Sequence, residues 1–167
     1  EEISSFVQNA FEKRGMKIIT GVKLSSLKAS KAGVTAAFDG KQDDISAERA
    51  ILAVGITGNT EALGLKGTGV KVERNHIVTD KWGATGEPGI YAIGDVAGPP
   101  WLAHKASHEG IACVEHMAGM KDAHPIADGA VPGCTYCRPQ VASIGLNEAA
   151  AKAAGHDIRV GRFPMLA

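Results

Sequence analysis

The residues best suited to chemistry lie together in Gly89-Ile90-Tyr91-Ala92-Ile93-Gly94-Asp95-Val96-Ala97-Gly98. The apolar residues 90–93 read as a buried strand that delivers an acid, Asp95, at its carboxyl end. Open α/β sheets bind ligands at that edge. A carboxylate there accepts hydrogen bonds from ligand hydroxyls, such as those of a ribose or ribityl chain. Gly94 removes a side chain that would block the approach. The same residues also fit a plain Gly-Asp turn in which Asp95 caps local backbone. A few residues on, Pro99-Pro100-Trp101-Leu102-Ala103-His104-Lys105-Ala106 opens a helix. Proline suits a helix start, where its missing N–H would have no partner. The unpaired N–H groups and the positive end of the dipole favour an anion or developing negative charge.

Other chemical residues read more blandly. Cys134 and Cys137 form C-x-x-C, but Gly133-Cys134-Thr135-Tyr136-Cys137-Arg138-Pro139 looks extended. Three residues of strand separate the Cα atoms by roughly 10 Å, whereas a disulfide needs less than about 7 Å. No helix start follows Cys134 to depress its pKa, and no second C-x-x-C completes a zinc site. His104 and His108 are four apart on the expected helix, with His116 further along, yet H-K-A-S-H lacks the glutamate of H-E-x-x-H. We therefore assign no metal ligands and read these histidines as a polar helix edge. Glu109 and Glu115 read as solvated or paired surface charges. The glycines of Gly64-Leu65-Lys66-Gly67-Thr68-Gly69 follow no buried strand and read as a connection.

The elements that must position these groups follow from periodicity. Ile3, Phe6, Val7, Ala10 and Phe11 form one face of a helix stopped by Gly15, entered directly from Glu1-Glu2. Lys17–Thr20 and Val34–Phe38 read as strands. Asp39-Gly40 signals a hairpin with positive φ at both residues, and Asp43–Ser46 returns antiparallel. Ala50-Ile51-Leu52-Ala53-Val54 is a continuous apolar run, suited to a buried parallel strand. After a loop-rich stretch to Gly69 come extended segments at 70–72 and 76–79 and a turn at Glu87-Pro88-Gly89. The long helix runs from about Leu102 to Met117. Its inner stripe is Ala103, Ala106, Gly110, Cys113, Val114 and Met117, and Gly119 caps it. Residues 122–133 look like a domain boundary. Gln140–Ile144 is a strand, Asn147-Glu148 opens a helix through Ala153 closed by Gly155, and Arg159–Phe163 starts another strand.

Composition excludes several classes. Lys plus Arg and Asp plus Glu number 18 each, so charge gives no support to a nucleic-acid or acidic-membrane partner. No apolar run approaches a membrane span. Apolar residues make up 44% and charged residues 22%, a globular composition. Both ends, Glu1 and Arg162-Phe163-Pro164-Met165-Leu166-Ala167, read as cut from a longer polypeptide.

I-Y-A-I-G-D-V-A-G-P-P-x-L-A-H-K-A resembles the second FAD-binding motif of dihydrolipoamide dehydrogenases. The G-D portion is shared with glutathione and mercuric reductases. Trp101 stands where that branch most often has Met. The resemblance runs the length of the chain. Ala53-Val54-Gly55-Ile56-Thr57-Gly58-Asn59-Thr60 is similar to the end of the family's NAD domain, with Ile56 and Gly58 where Arg and Pro are frequent. Tyr136–Glu148 resembles the opening of its interface domain, with Cys137 and Gln140 in places usually held by Thr and Glu.

The resemblance implies an α/β fold: residues 1–57 as the C-terminal part of a Rossmann-like NAD-binding domain, 58–128 as a central FAD-contacting segment, and 129–167 as the truncated start of an α+β dimerisation domain. It implies that Asp95, beside Gly94, binds the flavin ribityl chain. Backbone N–H groups of Trp101, Leu102, Ala103 and His104 would lie near the isoalloxazine, whose N1–C2=O edge gains negative charge on reduction. Gly55 would lie near the nicotinamide of NAD and the backbone of Leu24 near its adenine. The implied reaction reoxidises dihydrolipoamide with NAD through FAD and a protein disulfide. Its partners would be dihydrolipoamide on an acyltransferase or carrier protein of 2-oxoacid dehydrogenase or glycine cleavage complexes, and a second copy of the chain. Its location would be the bacterial cytoplasm or the mitochondrial matrix. No G-x-G-x-x-G, no C-x-x-x-x-C and no terminal His-Glu pair occurs here, so catalytic residues are expected outside this chain and the fragment alone is expected to be inactive. The rival readings are another flavin disulfide reductase of mercuric or glutathione type, and a non-catalytic fragment that binds no flavin.

Overall fold

The computed structural model describes residues 2–40, 42–127 and 129–164. Glu1, position 128 at the expected domain junction and the last three residues lie outside that set. The chain divides into two compact units: one comprises the stretch to Gly55 with Cys137–Pro139, the other Ile56–Tyr136 with the stretch from Gln140 on.

The first unit holds helix α1 (Glu2–Glu12) and an antiparallel sheet of β1 (Leu24–Ser30), β2 (Gly33–Phe38) and β3 (Ile45–Ala47), with β2 central. The α1 face expected from periodicity forms, and Gly15 follows it at φ 89°. Strand β1 was not anticipated. Its signal is the tight turn at its end: Ser30 Oγ accepts from the Ala32 N–H at 3.1 Å and donates to the Gly33 carbonyl at 3.2 Å. The β2–β3 pairing forms as expected, but through a longer connection in which Gly40 has positive φ and Asp39 does not.

Two expected strands of this unit are absent. Residues 17–20 and 50–54 have no ladder, and Ile51 and Val54 are 92% and 90% exposed. The apolar run at 50–54 fits, by sequence, a strand buried between parallel neighbours. A central strand needs a partner on each side for its N–H and C=O groups, and no strand of this unit pairs with it. No described residue of the unit is buried.

The second unit is built around helix α2 (Ala103–Met117). A two-stranded ribbon, β4 (Val72–Glu73) and β5 (His76–Ile77), turns through Arg74 and Asn75, both at positive φ. That is the twist a two-residue hairpin loop requires. Asp80 Oδ1 accepts from the N–H groups of Trp82 and Ala84 at 2.8 and 2.9 Å, folding the next turn. Pro88 and Gly89 occupy the centre of a turn closed by Ile90 N–H to Glu87 O at 3.1 Å. Gly89, at φ 79°, takes the third position that a type II turn reserves for glycine.

Residues 90–93 are a correction to the sequence reading. They form a single bridge, Tyr91 to Ala84, and only Ala92 is buried. The chain then enters a short 3-10 turn, Gly94–Ala97. The inner face of α2 also differs from the expected stripe. Cys113 of that stripe is buried, but so are Lys105 and Ala112 outside it, whereas Ala103, Val114 and Met117 are exposed. The end of α2 is closed as expected by Gly119 at φ 70°, with Gly119 N–H to His116 O and Met120 N–H to Glu115 O, both 3.0 Å.

Beyond it β6 (Gly133–Thr135) pairs antiparallel with β7 (Val141–Ser143). Helix α3 (Glu148–Ala153) starts where the sequence places it, with Asn147 Oδ1 accepting from the Ala150 N–H at 2.8 Å. Residues 159–163 form no strand. No helix among the described residues is long and apolar enough to cross a membrane.

Candidate functional site

Asp95 is the second residue of the 94–97 turn, exposed, and its carboxylate makes no hydrogen bond or ion pair among the described residues. Its backbone carbonyl accepts from the Gly98 N–H at 3.2 Å, closing the turn behind it. The side chain does not cap local backbone.

Gly94 is required for a reason other than the one its sequence context offers. A Cβ there would stand 3.0 Å from the Ala106 Cβ of α2, and the residue sits at φ 73°. The glycine lets the turn lie against the helix; the space where its side chain would sit is filled by protein.

The start of α2 is uncapped. Leu102, the N-cap, has extended backbone and supplies no side-chain acceptor, and the first turn carries no acid. The first helical bond closed there is Ala106 N–H to Leu102 O, at 3.2 Å. The N–H groups of Ala103, His104 and Lys105 have no acceptor among the described residues. This turn therefore presents free donors and positive dipole to its surroundings.

Lys105 and Glu109 join the two elements. Their ion pair is 2.8 Å long, and their side chains are 8% and 26% exposed. The Lys105 Nζ also donates to the Gly98 carbonyl at 3.1 Å. The other Glu109 oxygen accepts from the Gly94 N–H at 2.7 Å. Glu109 is thus a partly buried structural acid, correcting its reading as a surface charge. A signal for it existed. Lysine in a helix's first turn opposes the dipole, and Lys-before-Glu is the weaker i, i+4 order, so local helix energetics alone do not favour the pair.

Trp101 is held from the side. Its indole N–H donates to His76 Nε2 at 3.1 Å, with the rings stacked at 5.9 Å. An indole only donates, so Nε2 is unprotonated and His76 Nδ1 donates to the Arg74 carbonyl at 2.9 Å. Two other histidines have equally ordinary duties. His104 Nε2 donates to the Pro132 carbonyl at 2.8 Å, and His116 stacks on Trp82 at 4.1 Å.

Among the described residues of this unit, clefts open around α2 and the β4–β5 ribbon. One of about 260 Å³ is lined by Asp80, Trp82, Ile93, Lys105 and Glu109. One of about 530 Å³ is lined by His104, His108, Glu115, His124 and Tyr136. One of about 510 Å³ is lined by Arg74, His76, Ala97 and Gly98. Asp95 lines none of the three. The structure thus brings Gly94, Asp95 and the 101–104 segment onto packed neighbouring elements without enclosing them in one of these cavities. Leu24 and Gly55 belong to the other unit. Leu24 begins β1, beside a register shift at Leu24/Ser26, and Gly55 is exposed at φ 118° with open space at its Cβ position.

All three cysteines are free. Cys134 is exposed on β6, and Cys137 donates to the Pro139 carbonyl at 2.9 Å. Burial, reinforced by the Asp80 charge, pushes the Cys113 thiol above its usual range. Its neutral form contributes stability below the ordinary thiol range, and that contribution is lost as pH rises through the raised folded value. In the native protein Cys134 is expected to react promptly with an aromatic disulfide reagent. Cys113 should react only after denaturant is added, and prompt native labelling mapped to Cys113 by peptide mass would contradict its burial.

The sequence profile described as "Pyridine nucleotide-disulphide oxidoreductase" matches residues 1–110, and that family's dimerisation domain matches residues 131–167. The chain belongs to this family. It is 54% identical over 169 residues to the dihydrolipoyl dehydrogenase of Rhizobium etli, covering 99% of this chain and 35% of the relative. To that of Bacillus subtilis it is 41% identical over 170 residues, covering 99% and 36%. Among solved structures it is similar to LpdA of Mycobacterium tuberculosis, with TM-score 0.79, 27% identity, and coverage of 89% of this chain and 32% of the other. It shares its fold with the HOCl-induced flavoprotein disulfide reductase RclA of Escherichia coli, at TM-score 0.86, 22% identity and coverage of 100% and 38%. The chain spans about a third of the length of these relatives. Its fold class is therefore α/β, a portion of the family's Rossmann-like nucleotide-binding region with the start of the dimerisation domain. The family's cofactors are FAD and NAD.

Proposed function

We propose that this chain is a portion of a flavoprotein oxidoreductase that reoxidises dihydrolipoamide with NAD through FAD and a redox disulfide lying outside these residues. The observation that carries the flavin reading is one arrangement: an unpartnered Asp95 carboxylate beside an α2 whose first N–H groups have no cap. The residues fit the cofactor by the chemistry of these groups, with acceptors for ribityl hydroxyls and donors for the electron-rich edge of the ring. The dihydrolipoamide reading rests on the relatives named dihydrolipoyl dehydrogenase.

In this reading Asp95 and Gly94 hold the ribityl chain, and the backbone of Trp101, Leu102, Ala103 and His104 orients the isoalloxazine. When bound, FAD supplies the redox centre that takes electrons from a dithiol and passes a hydride to NAD. The protein's own contribution at this site is fixed charge: the helix start favours negative charge as it develops. Leu24 and Gly55 contribute backbone to the NAD site. Residues 1–57 close the NAD-binding domain, 58–128 contact FAD, and 129–167 open the interface through which two copies pair. The physiological partner is dihydrolipoamide carried on an acyltransferase or carrier protein of a 2-oxoacid dehydrogenase or glycine cleavage complex. The compartment is the cytoplasm or the mitochondrial matrix.

FAD titration followed by flavin fluorescence tests the site. Loss of a charge-assisted hydrogen bond in Asp95→Ala is expected to raise the dissociation constant about 10- to 100-fold. Unchanged affinity would remove Asp95 from the site, and no binding by the unaltered chain would favour a fragment without flavin. Activity is tested by replacing the matching 169 residues of the Rhizobium etli relative with residues 1–167. The chimera should oxidise dihydrolipoamide with NAD, and an inactive but folded, FAD-loaded chimera would count against the substrate assignment.

A further inference from the structure

We propose that Lys105 and Glu109 are positioning residues for the flavin site: their ion pair grips both ends of the Gly94–Gly98 turn and thereby sets where Asp95 presents its carboxylate. This inference rests on the flavin reading above.

The geometry is a closed chain of contacts. The turn begins with the Gly94 N–H, which donates to one Glu109 oxygen at 2.7 Å. It ends with the Gly98 carbonyl, which accepts from Lys105 Nζ at 3.1 Å. The two side chains are joined at 2.8 Å one helical turn apart. Between the gripped ends, Asp95 itself has no side-chain partner among the described residues to hold it. The direction of its carboxylate therefore depends on the backbone of the turn, and the backbone depends on the pair. Contact with the helix adds a second constraint, because Gly94 and Ala106 leave no room for the turn to slide inward.

The same lysine belongs to the first turn of α2, whose free N–H groups are the other half of the proposed site. Its charge is answered by Glu109, so its contribution is orientation, with no net charge added next to a ligand. A surface ion pair of this spacing would have only a small effect and would be screened by salt. This one is shielded, and each partner has a second hydrogen bond to backbone of the turn.

Glu109→Gln isolates the effect because it keeps the volume and leaves only one acceptor for two donors, the Gly94 N–H and the Lys105 ammonium. FAD affinity is measured for the unaltered protein, Asp95→Ala, Glu109→Gln and the combination. Glu109→Gln is expected to weaken FAD binding about 10-fold, of the order of one charge-assisted hydrogen bond at Asp95. In the Asp95→Ala background it should cause no further loss, because its action passes through Asp95. Losses that multiply across the two changes would mean a general structural role and would overturn the proposal. If Asp95→Ala weakens binding and Glu109→Gln does not, the positioning role alone falls. If Asp95→Ala leaves affinity unchanged, both the site reading and the proposal fall.

A readout without cofactor accompanies these. The Gly94 amide should exchange with solvent at least about 10-fold faster in Glu109→Gln, consistent with loss of its acceptor, while amides in the last turn of α2 keep their rates. Unchanged Gly94 exchange would also overturn the proposal. Should Glu109→Gln fail to fold, Lys105→Met/Glu109→Leu replaces the pair with apolar groups, a change that folds tolerate well. The folded double variant should still lose FAD affinity about 10-fold, and wild-type affinity in it would refute the grip.

Discussion

Lys105→Met is expected to lower the stability of the protein by about 3 kcal/mol in urea denaturation, the lower end of the cost of breaking a buried ion pair. The methionine fills the volume of the lysine stem, so the loss is electrostatic. Glu109 would remain a quarter exposed with its charge unanswered, and the Gly98 carbonyl would lose its donor. The lower end is the appropriate choice because Glu109 keeps some access to water. Lys105→Met/Glu109→Leu should regain most of the loss, since removing both charges removes the stranded one. A single variant as stable as the parent would show that the pair contributes no more than an exposed one.

Gly94→Ala is expected to cost about 2–4 kcal/mol, combining the left-handed backbone penalty for a residue with a Cβ with overpacking against Ala106. At φ 73° the first penalty cannot be relieved without opening the turn, and the 3.0 Å approach to the Ala106 Cβ supplies the second. The two causes separate experimentally. Ala106→Gly in the same chain makes room and should recover the overpacking component only. Thermal or urea unfolding of the single and double variants reads both, and full recovery in the double variant would mean that backbone conformation contributes nothing.

Local signals were legible in the sequence and non-local ones were not. Helix α2 and its closing Gly119, and α3 with the Asn147 cap and Gly155, follow from periodicity and end residues that act within one turn. The turn of the β4–β5 ribbon is only half legible: the flanking segments read as extended, but the positive φ of Arg74 and Asn75 is not expected from sequence. Residues 17–20, 50–54, 90–93 and 159–163 read as strands from their own residues alone. A strand exists only where another supplies its hydrogen bonds, and for these segments the described residues provide one bridge, at Tyr91.

The candidate site shows the same division. Asp95 stood out because an acid at the end of an apolar run is a local pattern. Glu109 did not, because its bond to the Gly94 N–H spans fifteen positions along the chain, and that of its ion-pair partner Lys105 to Gly98 spans seven. The stripe expected for α2 holds only small and apolar residues and so omits Lys105, which the fold buries. Gly94 was recognised as necessary, and the reason lay in a helix whose approach no window of sequence reveals.

The apolar segment at 50–54 has a practical consequence. Its amides and carbonyls have no hydrogen-bond partner among the described residues, and Ile51, Leu52 and Val54 face outward. A bare, apolar stretch with open backbone donors and acceptors is one that another chain can pair with. Handled as an isolated 167-residue polypeptide, the molecule should scatter light more steeply than in proportion to its concentration. Ile51→Lys, a charge on that stretch, should keep it clear.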